Sequence, residues 1–368
     1  MGLHPRVWLI GEDLGCPYDL TVHDYYLVNG NPTLTDKDAR FVDETANDFD
    51  ARCAGHYPLP EGVSVDHWRA SQRMLVEGAS RVIFPSIDCA RRFCRFFDVA
   101  NPIVAWHPDY QLSQPYPQPE WRRSNGEPLR VLVMGAISRE KGADLLEAVA
   151  ISLAGQNVEL HLLGYAYRAL DAAVTTHGPY DNADVYQLVS DIDPHVVWFP
   201  ALWPETYSYT LSIALHMGLP VVVPDIGAFV ERVASRPLSL VRPWNLEIHA
   251  WREFWTAVEC GDALAASGEL SAPGQETAPS TDFYSTRYLL DVPAVAGELG
   301  TQLLSDIAGN LHAGVPQLTA RERLLERLWR VSRSPWASRV IGLVPFRLQR
   351  ALKRRLSARP MHDIVRGD

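Results

Sequence analysis

The chain lacks the features that mark secreted, membrane-spanning and metal-binding proteins. Its 368 residues include five cysteines with no C-x-x-C pair, which favours reduced thiols over a disulfide framework or a zinc site. No apolar run approaches ~18 residues and the first residues form no signal-peptide pattern, so we expect neither a transmembrane helix nor a leader. His177, His195 and His216 have no ligand-like spacing, so no metal site is expected. Together these absences predict a cytoplasmic protein.

The chain also lacks an overall positive charge. Its formal net charge is −10, which argues against general nucleic-acid binding. Residues 321–359 nevertheless hold 12 lysines and arginines against two glutamates, a balance of +10; with −1 on residues 361–368, this leaves −19 on residues 1–320. With 47% apolar and 21% charged residues, the chain can bury a sizeable core. The composition predicts an acidic globular protein with a basic end.

Apolar runs and helical patterns alternate along most of the chain. The predicted strands are 19–22, 81–84, 103–106, 129–134, 158–163, 175–180, 196–200 and 219–223. The predicted helices are 65–78, 89–97, 142–153, 182–192, 205–217 and 227–235. Residues 30–63 are predicted to be a long irregular loop, and residues 108–128 a linker. Strands alternating with helices predict an α/β protein with doubly wound parallel sheets.

The stretch from Val196 to Val223 is the most informative part of the sequence. It predicts a strand, a turn, a helix and a second strand, with Glu205 where the helix begins and Thr206, Tyr207 and Ser208 following it. The free N–H groups and positive dipole end of such a helix favour a phosphate or diphosphate. Ligands of open α/β sheets bind beyond the carboxyl ends of the strands, where this turn must lie.

Four motifs follow one another between residues 129 and 235. They are Gly135 to Lys141-Gly142, Pro200 to Glu205, Gly218-Leu-Pro-Val221 and Asp225-Ile-Gly-Ala228. This segment resembles the donor-nucleotide domain of GT-B glycosyltransferases, closest to glycosyltransferase family 4. The residues around His23-Asp24-Tyr25, Phe84-Pro-Ser86 and His107 resemble the later part of that family's acceptor domain. The resemblance implies two Rossmann-like parallel-sheet domains facing a cleft, with the N-terminal domain shortened.

The resemblance also implies a division of the chain. Residues 1–126 would form a short or partial acceptor-side domain, and residues 127–260 the nucleotide-sugar donor domain. Residues 261–320 would form a flexible loop and closing helices, followed by a basic helical tail at 321–368. Because His23 lies so near the first residue, the chain is either a fragment or has a reduced first domain.

The resemblance assigns roles to the residues of the donor side. Glu205 would contact the hydroxyls of the transferred sugar, whereas Thr206, Tyr207 and Ser208 would bind the diphosphate. Lys141, in the loop with Gly135 and Ser138, would neutralise the leaving diphosphate without a metal or other cofactor. Arg139 would replace the cation that many family members carry at the position of Ala136. The structural alternatives are a helix cap for Glu205 and a solvated surface position for Lys141.

On the acceptor side, His23 would contact the sugar or Asp24 would act as a base toward the acceptor hydroxyl. His107, Gly164, Gly178 and Tyr180 follow predicted strands and would line the same cleft. Tyr180 would either stack near the nucleobase or be a core tyrosine with a satisfied hydroxyl.

We therefore predict a retaining glycosyltransferase of the hexosyltransferase type. It would move a sugar from a nucleotide-diphosphate donor to a saccharide or lipid-linked acceptor in polysaccharide biosynthesis. The alternative is a catalytically weak GT-B-like binding module, because Ile213 stands where the family has a second glutamate that commonly binds the donor ribose. A GT-B-fold epimerase or phosphorylase is a third reading, although no lysine-cofactor motif of a phosphorylase is present.

The basic end of the chain predicts a further partner. Leu348, Leu352 and Leu356 recur at i, i+4 and i+8, flanked by basic residues at 347, 350, 353, 354 and 355. Such a helix suits an anionic membrane surface, which would make the protein peripheral on the inner face of the membrane. The alternative is a helix docked on the acidic body of this chain or of a neighbour.

Overall fold

The computed structural model describes residues 17–108, 116–124, 126–261, 283–288, 319–332, 352–353 and 355–357. The strands are β1 (Asp19–Thr21), β2 (Arg81–Phe84), β3 (Pro102–Val104), β4 (Leu129–Ile137), β5 (Val158–Ala166), β6 (Val174–Gly178), β7 (Val196–Trp198), β8 (Val221–Pro224) and β9 (Ser239–Arg242). The helices are α1 (Tyr26–Asn29), α2 (Phe49–His56), α3 (Val65–Glu77), α4 (Ile87–Phe93), α5 (Ala143–Ser152), α6 (Val185–Ile192), α7 (Tyr209–His216), α8 (Ala228–Arg232), α9 (Ile248–Cys260), α10 (Phe283–Thr286) and α11 (Ala320–Ser332).

The strands form two parallel sheets. The first has three strands in the order β1-β2-β3, and the second has six in the order β6-β5-β4-β7-β8-β9. The second order is that of a doubly wound fold, with the chain reversing direction across the sheet between β4 and β7. Both sheets lie in one compact unit, His4–Tyr284. The predicted α/β fold class, with two Rossmann-like parallel sheets of which the first is shorter, is confirmed.

The core of this unit lies on both faces of the six-stranded sheet. One buried cluster joins Trp198 to Trp251 and Trp255 of α9, with ring centroids 4.8 and 5.5 Å from that of Trp198. The other cluster contains residues of both sheets, among them Phe84 and Val197, each fully buried. Buried apolar area is the main stabilising term of a fold of this kind, so the two sheets share part of one core.

The segment between β1 and β2 corrects the sequence prediction. Residues 30–63 were expected to be irregular throughout, but α2 forms within them because Phe49 and Cys53, four residues apart, pack into the core. Similarly, α4 begins at Ile87 because the Ser86 hydroxyl accepts the N–H of Cys89. The remaining predicted strands and helices between residues 17 and 260 are present, with ends that differ by at most four residues.

A second unit comprises Met1–Leu3 and Ser285–Asp368. Its best-described element is α11, whose start is a capping box: the Thr319 hydroxyl accepts the N–H of Glu322, and the Glu322 carboxylate accepts the N–H of Thr319 at 2.8 Å. Leu352 is exposed, whereas Leu348 and the basic residues 347, 350 and 354 lie outside the described residues, as does the predicted flexible loop beyond Gly261. Within the described ranges, no helix is both long and apolar enough to cross a bilayer.

Candidate functional site

Two loops meet at the point where the strand order of the second sheet reverses. One follows β4 and comprises residues 138–142, and the other follows β7 and comprises residues 199–208. Loops at this position of a doubly wound sheet form the crevice in which such folds bind their ligands. The predicted donor-side residues lie on these two loops, except for Gly135, which lies near the end of β4.

The two loops are in direct contact. Gly142 has φ = +85°, and a Cβ there would overlap the carbonyl oxygen of Pro200, so only glycine permits this approach. The N–H of Leu202 donates to the carbonyl of Glu140 at 2.8 Å, which fixes the loops beside each other. Lys141, between Glu140 and Gly142, is thereby held next to the loop that carries Glu205.

Lys141 and Glu205 form an ion pair across the two loops. Lys141 Nζ lies 3.2 Å from Glu205 Oε1, with 43% of the lysine side chain and 9% of the glutamate side chain exposed. The backbone of Glu205 is fixed by its carbonyl, which accepts the N–H of Ala228 at 2.8 Å. Gly227, at φ = +72°, packs so closely that a Cβ there would lie 2.7 Å from Glu205 N. The pair joins a nearly buried carboxylate to a cation that solvent or a ligand can reach.

Glu205 does not begin a helix as predicted. Helix α7 starts at Tyr209, because Ser208 has φ = +73° and ψ = 92°, a conformation no helix contains. The hydroxyls of Thr206 and Ser208 do not cap α7 either. Thr206 Oγ1 donates to the carbonyl of His23 at 2.7 Å, and Ser208 Oγ lies 3.3 Å from Thr210 Oγ1. Residues 205–208 therefore form an irregular turn, called here the 205–208 turn.

The bond from Thr206 brings the end of the first sheet to this turn. His23, which follows β1, is exposed and its ring stacks on that of His107, with centroids 5.0 Å apart. The ring of His107 also meets Tyr207 edge-on at 5.2 Å. Burial, together with the charges of His23 and Arg232, lowers the pKa of His107 to about 4, so this ring is neutral at neutral pH. Three of the predicted residues thus form one aromatic cluster against the turn.

Asp24 takes part in its own local turn. Its Oδ1 accepts the N–H of Tyr26 at 2.8 Å, and the side chain is half-buried. Burial raises the pKa of the Asp24 carboxyl above its ordinary value, against the lowering effect of that hydrogen bond and of His23. A raised pKa strengthens a carboxylate as a base, which accords with the predicted chemistry.

A second connection between the sheets was not predicted. Glu140 is buried, and its Oε1 accepts the Tyr57 hydroxyl at 2.8 Å and lies 3.3 Å from His56 Nε2. Burial alone would raise the pKa of Glu140, but hydrogen bonds from Ser138, its own backbone and Tyr57 outweigh burial and hold the pKa below its ordinary value. A charged carboxylate therefore anchors the lysine-bearing loop to α2, in the segment predicted to be a loop.

A third connection involves Glu231 on α8. Its Oε1 and Oε2 accept the N–H groups of Ile87 and Asp88, each at 3.0 Å, at the start of α4 in the first half of the chain. Burial raises the pKa of Glu231 to about 7 despite these hydrogen bonds. The connection joins an element of one sheet to an element of the other.

Arg232, the next residue, is another functional candidate that the sequence did not reveal. It is 4% exposed and donates to the carbonyl oxygens of Tyr207 at 2.9 Å and Ser208 at 2.6 Å, and to Ser212 Oγ at 2.7 Å. Its guanidinium lies 4.1 Å from the centroid of the Tyr207 ring. Nothing in the sequence pattern distinguishes it from a surface arginine, because all these contacts depend on the fold.

The remaining predicted residues are spread along the sheet. Gly135 and Gly164 lie side by side near the ends of β4 and β5, and a Cβ on Gly164, at φ = +130°, would overlap the carbonyl oxygen of Gly135. Arg139 pairs with Asp144 at 3.3 Å. Tyr180 follows β6 at the outer edge of the sheet, two strands from β4, and is half-buried against the core.

Two further features bear on the predicted chemistry. Ile213, on α7, is half-buried and packs against the core shared by the sheets. The backbone oxygen of Ile213 accepts the N–H of Met217 at 3.1 Å, as the last turn of a helix requires. Across the described ranges, no group of three or more His, Cys, Asp or Glu side chains is arranged to hold a metal ion.

No family model matches the chain, and no curated protein matches it. Among solved structures, it is similar to HepE of Anabaena in complex with UDP, with 15% identity, a TM-score of 0.46 and coverage of 72% of this chain and 70% of that one. Sucrose-phosphate synthase from Thermosynechococcus elongatus gives 16% identity, a TM-score of 0.46 and coverage of 72% and 65%. WaaG, a glycosyltransferase involved in lipopolysaccharide biosynthesis, is 20% identical, with a TM-score of 0.38 and coverage of 55% of this chain and 61% of that one. At these identities the likeness concerns the fold alone.

Proposed function

We propose that the protein is a glycosyltransferase that takes its sugar from a nucleotide-diphosphate donor. The observation that carries the proposal is the Lys141–Glu205 pair, with a separation of 3.2 Å, on the two loops at the reversal point of the second sheet. A cation for phosphate and a carboxylate for sugar hydroxyls are the two groups that a nucleotide sugar requires. The cluster of His23, His107 and Tyr207 places polar aromatic groups of the first sheet beside them.

In this proposal Lys141 exchanges the carboxylate of Glu205 for the diphosphate of the donor. Its partly exposed ammonium pairs with Glu205 when the site is empty, and the diphosphate offers it a higher negative charge. The 205–208 turn supplies backbone N–H groups and Ser138 a hydroxyl to the phosphates, and Gly135 and Gly164, which pack closely on each other, would contact the donor through their backbone. With a lysine neutralising the leaving group, the transfer needs no metal ion.

Glu205 then faces the sugar. Displaced from Lys141, its carboxylate accepts hydrogen bonds from sugar hydroxyls, which are stronger than those between neutral groups. His23 and His107 bind the sugar from the other side, and Asp24, with its raised pKa, accepts the proton of the acceptor hydroxyl. Tyr180 stacks near the base. Arg139, which pairs with Asp144 in the structure, has a more distant role in neutralising phosphate.

The finer features of the function are part of the same proposal. We propose retaining transfer of a hexose to a saccharide or lipid-linked acceptor in polysaccharide biosynthesis, by a cytoplasmic protein that binds the membrane surface. Helix α11 supports binding to the membrane surface, because Leu324 and Leu328 are 49% and 44% exposed on one face. Arg321, Arg323 and Arg327 are exposed around them, as in helices that lie in an anionic membrane surface.

The decisive experiment is a thermal-shift panel of UDP-, GDP-, TDP- and ADP-sugars on the wild-type chain and on Lys141→Met. A donor should raise the melting temperature of the wild type, with a much smaller rise for the variant. Release of the free nucleotide in the presence of oligosaccharide or lipid-linked acceptors then tests transfer. If no member of the panel shifts the melting temperature, the proposal is wrong.

A second candidate function rests on Ile213. Its apolar side chain packs against the core, where the family resemblance puts a ribose-binding glutamate. A module that binds a nucleotide sugar without efficient transfer would tolerate this change. The two functions separate in one assay: a binding module shifts its melting temperature with a donor but releases no nucleotide in single-turnover mixtures. Ile213→Glu should lower the melting temperature by placing a charge against the core.

A further inference from the structure

Arg232 is a buried cation whose charge no carboxylate in the described part of the chain compensates by an ion pair. The neighbouring Glu231 is engaged with Ile87 and Asp88 instead. Arg232 is 4% exposed, and its Nε is buried without a hydrogen-bond partner. Keeping an arginine in this state is costly, because a buried charge needs compensation from surrounding dipoles. The residue therefore has a task that an apolar side chain could not perform.

The task follows from the atoms that Arg232 holds. One guanidinium nitrogen, Nη1, binds two consecutive carbonyl oxygens, those of Tyr207 at 2.9 Å and Ser208 at 2.6 Å. In a planar trans peptide the C=O and the next N–H point in opposite directions. Fixing both carbonyls on the guanidinium therefore turns the N–H groups of Ser208 and Tyr209 away from it together. Two successive N–H groups with a common direction are a recurrent anion-binding arrangement.

The backbone of Ser208 shows that this geometry needs support. A serine at φ = +73° and ψ = 92° lies outside the regions that residues with a Cβ favour, and this conformation is strained. Such a conformation persists only where neighbouring groups determine it. Arg232 does so from three sides, through the two carbonyls, through the ring of Tyr207 at 4.1 Å, and through Ser212 Oγ on α7.

We infer that Arg232 is the positioning residue of the anion site: it holds the 205–208 turn so that the N–H groups of Ser208 and Tyr209 face the diphosphate of the donor. The inference rests on the proposed function for the identity of the anion. The positive charge of Arg232 also favours anion binding, because it polarises the two peptide groups whose N–H groups face the ligand, although Arg232 itself does not touch the ligand.

The experiment uses three variants of the full chain. Arg232→Gln keeps hydrogen-bond donors but removes the charge, and Arg232→Lys restores the charge with a single ammonium. Ser212→Ala is the matched control, because it removes the third bond of Arg232 and leaves both carbonyl bonds in place. For each protein, the dissociation constants of UDP, GDP, TDP and ADP are measured by calorimetry, and the ligand-free crystal structure is solved.

We expect Arg232→Gln to weaken binding of the preferred nucleotide by about tenfold or more, Arg232→Lys to recover part of the loss, and Ser212→Ala to change it less than about threefold. In the ligand-free Arg232→Gln crystal, the Tyr207–Ser208 peptide plane should rotate. If Arg232→Gln does not fold, the test compares the nucleotide affinity and the Tyr207–Ser208 peptide orientation of Arg232→Lys with those of Ser212→Ala.

Two results would overturn the inference. One is an unchanged peptide orientation in the ligand-free crystal of the Arg232 variant. The other is a loss of affinity that follows the melting temperature equally in the Arg232 and Ser212 variants, which indicates a purely structural role. If the wild type binds none of the four nucleotides, the proposed function fails, and the ligand-free crystals still decide whether Arg232 holds the turn.

Discussion

The two sheets position their site residues in different ways. In the six-stranded sheet, the order of the strands brings two loops together, and the buried strands beneath them hold the loops in place. In the three-stranded sheet, His23 and His107 follow short strands, and the contacts that fix them come from the other sheet. The difference shows that topology can build one half of a site, whereas the other half depends on individual long-range contacts. Substitutions on the six-stranded sheet's side of the site should therefore act through the two loops, and substitutions on the three-stranded sheet's side through single bonds.

The largest effect is expected from the charge at the centre of the second sheet's site. Glu205→Gln should lower turnover on the order of 100-fold, because it removes an interaction that strengthens in the transition state. Nucleotide affinity should not fall, since the carboxylate faces the sugar and competes with the diphosphate for Lys141. The measurements are single-turnover rates and calorimetry, with Glu159→Gln, a carboxylate that is 51% exposed on β5, as the control. Wild-type turnover in Glu205→Gln would reduce Glu205 to a structural residue.

The contact between the two loops can be tested by adding one methyl group. Gly142→Ala should destabilise the protein by about 3 kcal/mol or more, because its Cβ would overlap the carbonyl of Pro200 in addition to the cost of φ = +85°. Gly155→Ala is the matched control: its φ is +81°, but nothing lies within 4 Å of the added carbon, so only about 1 kcal/mol should be lost. Urea denaturation measures both. Equal losses would mean that the close approach of the loops contributes nothing.

The aromatic cluster of the first sheet should give a pH dependence. The pKa of His107 is about 4 in the folded protein against 6.5 ordinarily, so below pH 6.5 the unfolded chain binds a proton that the folded chain does not. Stability should fall as the pH drops from about 6.5 to about 4, by up to about 3 kcal/mol. His107→Gln should remove this part of the pH dependence, and His249→Gln, at an exposed histidine, should not. Identical pH profiles for all three proteins would contradict the buried neutral ring.

A smaller effect is expected at the bond between α2 and the lysine-bearing loop. Tyr57→Phe removes a 2.8 Å hydrogen bond to the buried Glu140 and should cost about 1.5 kcal/mol. Tyr167→Phe removes a hydrogen bond of the same length to Asp144 at the surface and should cost less than about 0.5 kcal/mol. Thermal and chemical denaturation give both values. A cost for Tyr57→Phe no greater than for Tyr167→Phe would show that this connection adds no stability.

Much of the second sheet was predictable from the sequence. Strands β7 and β8 are apolar and buried throughout, as central parallel strands require. Gly142 marks a loop that only glycine can form, and Gly135 and Gly164 mark a close approach of β4 and β5. The fold follows from this alternation of strands and helices. The start of α7 was misplaced, because nothing in the sequence shows that Ser208 adopts a positive φ.

The first half of the chain was less predictable. Helix α2 has no side-chain cap, and only Phe49 and Cys53 on it are buried, so its pattern is too weak to stand out from a loop. The contact between Tyr57 and Glu140 joins residues 83 positions apart. Periodicity describes neighbours along the chain and carries no information about such a pair. The roles assigned to Glu205, Lys141 and the other site residues stay predictions until the variants are measured.

The contact of Glu231 with α4 has a consequence for motion. Together with the bonds from Tyr57 to Glu140 and from Thr206 to the His23 carbonyl, it links the two sheets at three separate places. A swing of one sheet away from the other would have to break all three links at once, whereas a movement of one loop would break only one. We expect substrates to enter by local loop opening on a fast timescale, and amide exchange at Ile87 and Asp88 to be as slow as in the strands of the core.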